Sequence, residues 1–230
     1  IRKYAIRDGA LALWCALPYA PVGFHVAVVD PGVGTARRPI ALRVARGDVL
    51  IGPDNGLLVA AAERLGGVVE ARLLENPAYR LPVVTSTFHG RDVFAPAAAH
   101  LARGASFESL GPSIPDELVP SPLPAASAVD GGLATEVIYE DTFGNLKLSA
   151  LVADVERATG GDPVSATFEV TADGRPALTI RWARTFGLVG PGDALLYEDS
   201  YGRACIAVNQ GSAARSLGLV EGTRLLLRRR

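Results

Sequence analysis

Apolar and polar positions alternate with two different periods along this chain. Residues 8–17 (DGALALWCAL) read as a helix, with Asp8 as its cap and Pro18 after its end. Residues 24–30 (FHVAVVD) form a β-branched apolar run, the pattern of a strand buried on both faces as in a parallel sheet. It ends at Asp30 and enters the turn Pro31-Gly32-Val33-Gly34. Residues 40–53 predict two strands around Gly47-Asp48. Asp54 then caps a helix running through Leu65, which Gly66 and Gly67 end. A further strand is predicted over Leu81–Thr85 and a helix over Phe94–Arg103, stopped by Gly104. Strands alternating with helices predict an α/β N-terminal domain with a mostly parallel central sheet over residues 1–110.

The pattern changes between Gly111 and Pro124, where five prolines fall at 112, 115, 120, 122 and 124. Residues 111–130 therefore read as a stiff, extended linker. Beyond them the period is that of strands. VSATFEVT (164–171) and ALTIRWA (177–183) flank Asp173-Gly174, a hairpin signal, and Ala194–Tyr197 and Ala204–Val208 follow. Residues 131–230 predict a small all-β, barrel-like C-terminal domain.

Composition narrows the function classes. The 230 residues are 49% apolar and 20% charged, with a formal net charge of −1. That is globular, and it argues against disorder and against binding to nucleic acid by phosphate neutralisation. No apolar stretch is long enough for a membrane span. Cys15 and Cys205 are too few for a disulfide scaffold or thiolate zinc site, and free buried thiols are expected. His25, His89 and His100 lack metal-ligand spacing, so no metal is expected. The chain opens with Ile1 and contains no Met, which leads us to expect that the natural protein begins upstream.

Phosphate-binding, metalloprotease and serine-hydrolase motifs are absent, and Gly32-Val33-Gly34 lacks the third glycine of a dinucleotide fingerprint. What remains are polar groups at strand ends, where α/β sheets place ligands. Asp30 ends one predicted strand and His89 follows another. Arg37 comes after the glycine turn and can fold back on Asp30. Each also has a plain reading: a turn aspartate, a loop histidine and a surface arginine. In the second domain, Asp141-Thr142-Phe143-Gly144-Asn145 combines a carboxylate, an aromatic face for stacking on a planar base, and an amide that reads donor and acceptor edges. The alternative there is an ordinary turn with Phe143 in the core.

Taken together, VVDPGVGTARRPIA (28–41), GPDNGLL (52–58), STFHGRDVFAPAAAHLARG (86–104), DTFGNL (141–146) and IAVNQGSAA (206–214) make a specific combination. The sequence resembles the S-adenosylmethionine (SAM) hydroxide adenosyltransferases, or SAM hydrolases, relatives of the SAM-dependent fluorinase and chlorinase. The resemblance implies hydrolysis of SAM to adenosine and L-methionine without metal or redox cofactor. Asp30, Arg37 and His89 would form a catalytic triad. In it Asp30 lies nearest the attacking water, His89 orients that water and relays a proton, and Arg37 fixes the carboxylate. For substrate binding it implies Asp141 on the methionine ammonium, Phe143 and Asn145 on adenine, Ser200 on methionine, and Val208 near the adenine edge. Thr87 and Gly90 would line the reacting centre and Tyr4 would border adenosine. Tyr201 stands where the halogenase has arginine. The resemblance further implies a cytoplasmic homotrimer with each site between subunits, and a segment before Ile1 that grips the ribose. Two alternatives stay open: a halogenase, which would carry tyrosines at the Asp30 and His89 positions, and a non-catalytic SAM or adenosine binder.

Overall fold

In a computed structural model, which describes residues 1–114, 117–172 and 174–230, the chain forms two compact units, Ile1–Leu123 and Pro124–Arg230. The first holds a four-stranded sheet of β1 (Phe24–Val26), β2 (Pro39–Val44), β3 (Val49–Pro53) and β4 (Val68–Leu73), in the order β1-β3-β2-β4. Three helices accompany it: α1 (Ile6–Ala16), α2 (Val59–Arg64) and α3 (Ala95–Ala102).

The expected mostly parallel sheet is not what forms. Only β1 and β3 run parallel, while β2 is antiparallel to both β3 and β4. The reason lies at Gly47, whose φ of +102° closes a tight turn between β2 and β3. A parallel pairing needs a crossover of a dozen or more residues, and none fits there. The misleading feature was the unbroken apolar run. Ile40, Leu42 and Val44 pack with Leu50, Leu58 and Ala61 in one core cluster, whereas Ala41, Val49 and Ile51 pack with Phe94, Ala97 and Leu101 in another. A sheet covered on both faces loses its alternation whatever its strand direction.

Local readings were corrected in the same unit. β1 covers three residues, and Phe24, Val26 and Val28 are 43%, 42% and 45% exposed rather than buried. Leu81–Thr85 is not a strand. Asp8 lies inside α1, buried against Arg2 Nε at 2.7 Å, instead of capping it. Asp54 does not cap α2, which starts at Val59. Its buried carboxylate accepts from Arg38 Nε at 2.7 Å and from the Val119 amide at 3.0 Å. The proline-rich segment is tied to the sheet at Pro112, whose carbonyl accepts from the Leu73 amide at 3.0 Å. Pro115 lies outside the described residues.

The second unit is the expected barrel. Its strands are β5 (Ser127–Val129), β6 (Gly132–Glu140), β7 (Leu146–Leu151), β8 (Thr167–Ala172), β9 (Leu178–Trp182), β10 (Ala194–Glu198), β11 (Arg203–Val208) and β12 (Arg224–Arg229). Seven of them follow the order β12-β8-β9-β10-β11-β7-β6, and pairing of β12 with β6, Leu227 opposite Leu133, closes the ring. β5 is added to β6 outside that ring. β9 and β10 are parallel; the other neighbours are antiparallel. Inward residues such as Phe168, Trp182, Leu148, Ile206 and Leu227 fill the interior. β8 and β9 pair as the hairpin signal predicts, although Asp173 itself lies outside the described residues. Helices α4 (Val152–Thr159) and α5 (Ala213–Leu217) complete the unit. Cys205 is a buried free thiol, and burial pushes it up to about 11. No helix among the described residues is long and apolar enough to cross a membrane.

Candidate active site

The turn after Asp30 folds the chain back on itself. The Val33 amide donates to the Asp30 carbonyl at 3.3 Å and the Thr35 amide to the Gly32 carbonyl at 3.2 Å. The Thr35 hydroxyl then accepts from the Arg37 amide at 3.3 Å. Arg37, seven residues beyond Asp30, thereby grips its carboxylate with both arms: Nε donates to Oδ1 at 3.1 Å, and Nη2 donates to Oδ2. Nη2 also donates to His89 Nδ1 at 3.2 Å. An arginine only donates, so this contact makes Nδ1 the acceptor and leaves the imidazole proton on Nε2. The Asp30 and Arg37 side chains are 5% and 6% exposed, which excludes the plain reading of Arg37 as a surface arginine. The guanidinium packs 5.4 Å from the centre of the Phe94 ring. Its Nη1 is buried and makes no hydrogen bond among the described residues, an orphan donor of the kind that a water or ligand oxygen satisfies.

His89 reaches this cluster because Gly34, at φ +78°, lets the turn lie directly against the Ser86 carbonyl. His89 immediately precedes a π-helical turn, Gly90–Phe94, that leads into α3. One residue of that turn escaped the sequence reading. Asp92 is fully buried and accepts from the Thr85 amide at 2.8 Å, the Thr85 hydroxyl at 2.6 Å and Arg91 Nε at 2.6 Å, so it ties residues 81–85 to the turn that carries His89. The available signal was its place in FHGRD. Thr87 is exposed in the same loop. Tyr4 is 77% exposed, sits at φ +65° before α1, and makes no hydrogen bond to the triad among the described residues.

The Arg91 guanidinium and the Thr85 donors hold the Asp92 carboxyl well below the usual carboxylate range. A carboxyl lowered in the folded state stabilises fully above its unfolded value of about 4; below that the stabilisation fades, and it is lost only as pH falls through the much lower folded value. Asp92→Asn is therefore expected to lower the urea midpoint at pH 7, with the gap to wild type constant down to about pH 4 and narrowing steadily below it. A gap independent of pH would show that Asp92 does not act as a charge.

In the second unit, the loop between β6 and β7 is held by its own aspartate. Asp141 Oδ1 accepts from the Phe143 and Asn145 amides, each at 2.9 Å, and Oδ2 accepts from Asn145 Nδ2 at 2.9 Å. Asp141 thus fixes the Asn145 amide and leaves the Phe143 ring 77% exposed, not in the core. These three residues line a cavity of about 910 Å³ together with Ser200, Tyr201 and Val208, so the structure brings together all the expected binding residues of this unit. The sequence reading missed Phe186 and Tyr197 on the same wall, their rings 5.1 Å apart. Lys147 pairs there with Asp199 and lies 5.1 Å from the centre of the Tyr201 ring. A second cavity of about 560 Å³ shares Arg184, Glu198, Asp199 and Ser200 with the first. No group of three or more His, Cys, Asp or Glu side chains among the described residues is placed to hold a metal ion.

A buried acid–guanidinium pair joined to a half-buried imidazole on one unit, and an aromatic-walled cavity on the other, mark an enzyme of small molecules. Residues 1–111 match the SAM hydroxide adenosyltransferase N-terminal domain, and residues 135–226 match the C-terminal domain. The chain belongs to the SAM hydroxide adenosyltransferase family. It is 45% identical to the (R)-S-adenosyl-L-methionine hydrolase of Salinispora tropica over 221 residues, 96% of this chain and 80% of the relative. A fluorinase from an Actinoplanes species is 30% identical over 218 residues, 84% of this chain and 72% of that protein. Among solved structures, a conserved protein from Thermotoga maritima superimposes with a TM-score of 0.89 at 31% identity, covering 100% of this chain and 86% of the other.

Proposed function

We propose that this chain hydrolyses SAM to adenosine and L-methionine by in-line attack of water at C5′. The observation that carries the reading is the Asp30–Arg37–His89 cluster, with one buried guanidinium bonded to both the carboxylate and the imidazole. In the proposed reaction, His89 Nε2–H holds one lone pair of the water oxygen, the other lone pair forms the O–C5′ bond, and Asp30 accepts a proton from the water as that bond forms. The C5′–S electron pair leaves with sulfur, which turns a sulfonium into a neutral thioether. A weak base is sufficient because the leaving group is good, and positioning supplies much of the rate. With Nδ1 accepting from Arg37, proton transfer falls to Asp30, and His89 serves as a donor to the water.

Phe143 and Asn145 are proposed to stack on adenine and to read its edge, with Val208 beside them. The Ser200 end of the cavity is proposed to receive methionine, with Tyr201 beside it; Thr87 and Gly90 line the reacting carbon, and Tyr4 borders the adenosine. No metal or redox cofactor enters this scheme. We further propose a homotrimer in which the triad of one subunit serves the cavity of the next. Exposed apolar side chains on the first unit, Val28, Val83 and Phe88, and the bare Phe143 ring offer surface for such contacts. The free Cys205 thiol suits the cytoplasm, a reducing compartment.

Product analysis tests the reading. Incubation with SAM is expected to give adenosine and methionine in equal amounts, unchanged by added chloride or bromide, because a carboxylate at Asp30 disfavours an anionic nucleophile. A halogenated nucleoside would assign the chain to the halogenases. SAM bound but unconverted would make it a binding protein.

A further inference from the structure

We propose that Asp54 and Asn55 are positioning residues that hold the two feet of the Asp30–Arg37 loop and so aim the triad; the proposal rests on the hydrolysis reading above. The motif GPDNGLL (52–58) supplies no member of the triad and no wall of the aromatic cavity. Its place in the fold gives it a different task. The loop leaves the sheet after β1 and rejoins it at β2. On the outgoing side the Ala27 amide donates to the Ile51 carbonyl at 3.0 Å, and Asn55 Nδ2 then donates to the Val29 carbonyl at 2.9 Å, one residue before Asp30. On the returning side, one residue after Arg37, the Asp54 amide donates to the Arg38 carbonyl at 2.9 Å and Arg38 Nε donates to the Asp54 carboxylate at 2.7 Å. Two adjacent residues thus grip positions 29 and 38, the flanks of the whole catalytic segment.

Both grips are themselves fixed. The Asp54 side chain is 1% exposed, and its other oxygen accepts from the Val119 amide at 3.0 Å. The Leu57 amide donates to Asn55 Oδ1 at 3.2 Å, which turns Nδ2 toward Val29. Between its feet the loop has little packing to hold it: Pro31, Gly34, Thr35 and Ala36 are all exposed. A segment with few buried contacts takes its placement from its ends. The Asp30–Arg37 bond keeps the two side chains together, but the feet decide where the pair points. Asn76 offers an internal control for this idea. Its Oδ1 accepts from the Ala78 amide at 3.0 Å, two residues on, and its Nδ2 donates to the Ser109 carbonyl at 2.7 Å. Asn76 is half-buried like Asn55 and makes the same pair of bonds away from the triad.

The test uses the full chain with SAM. Asn55→Ala is expected to lower the single-turnover rate of adenosine formation about tenfold, a fraction of the hundredfold loss that a misplacement of about 1 Å brings. SAM affinity by calorimetry should stay within a factor of about three of wild type. Asn76→Ala should lose a similar amount of melting temperature and keep the wild-type rate. Asn55→Ser, which retains a hydroxyl for the Leu57 amide, is the milder variant if the alanine chain does not fold, and the same split is expected of it. Equal rates in the Asn55 and Asn76 variants, or a loss confined to SAM affinity, would make Asn55 a scaffold bond and overturn the proposal. A wild-type chain that makes no adenosine from SAM would instead remove the hydrolysis reading, and the positioning role with it.

Discussion

Asp30→Asn lowers adenosine formation from SAM about 10²- to 10⁴-fold, the usual contribution of a positioned general base, while SAM still binds. Asparagine keeps the shape and an acceptor oxygen for Arg37, but it cannot take the proton of the attacking water. Alanine is the harsher change. It strips the partner from a guanidinium that is 6% exposed, and breaking a buried pair costs about 3–5 kcal/mol. Asparagine also neutralises the pair and sets an NH2 against one arm of the guanidinium, so both variants should lose melting temperature, and SAM affinity of the folded asparagine variant is what separates chemistry from folding. Single-turnover formation of adenosine, with SAM affinity by calorimetry, gives the comparison. A rate within a few-fold of wild type in Asp30→Asn would dismiss Asp30 as the base. His89 or bulk water would then have to carry the proton.

What the sequence exposes and what it hides divide along physical lines. The β2–β3 hairpin was legible because Gly47-Asp48 is a local turn signal, and the barrel because its strands expose one face and alternate. Strand direction in the first unit was not legible, since β2 and β3 are covered on both faces and show only that they are buried. The β1 error has a related origin. A β-branched run indicates burial against something, yet Phe24, Val26 and Val28 are exposed here. For the site, the Asp30–Arg37 bond was foreseeable from a glycine turn seven residues long. His89 is a different matter, 52 residues from Arg37 and joined to it by folding alone. Its place in the triad entered through family resemblance and not through any local pattern. Phe186 and Tyr197 carried no pattern that announced them, because folding of the barrel alone brings their rings together, and Asp92 was marked only by its place in FHGRD.

Gly34→Ala has the second-largest expected effect, a loss of about 10²-fold in kcat, although it removes no chemical group. Two costs fall on this position together. The backbone sits at φ +78°, where a side chain costs roughly 1–2 kcal/mol. An added Cβ would also lie 2.7 Å from the Ser86 carbonyl oxygen, closer than such atoms approach, and backbone cannot swing aside as a flexible side chain does. Either the turn that carries Arg37 or the loop that carries His89 must then retreat, and the 3.2 Å bond between them opens. Displacement by about 1 Å at a site built on alignment is enough for a hundredfold loss. Gly67→Ala isolates the two costs. It shares a positive φ, +94°, but its Cβ would meet nothing within 4 Å. It should lower the melting temperature and leave kcat intact, whereas Gly34→Ala should lower both. Equal kcat in the two variants would mean that the contact between the Gly34 turn and Ser86 does not set the geometry of the triad.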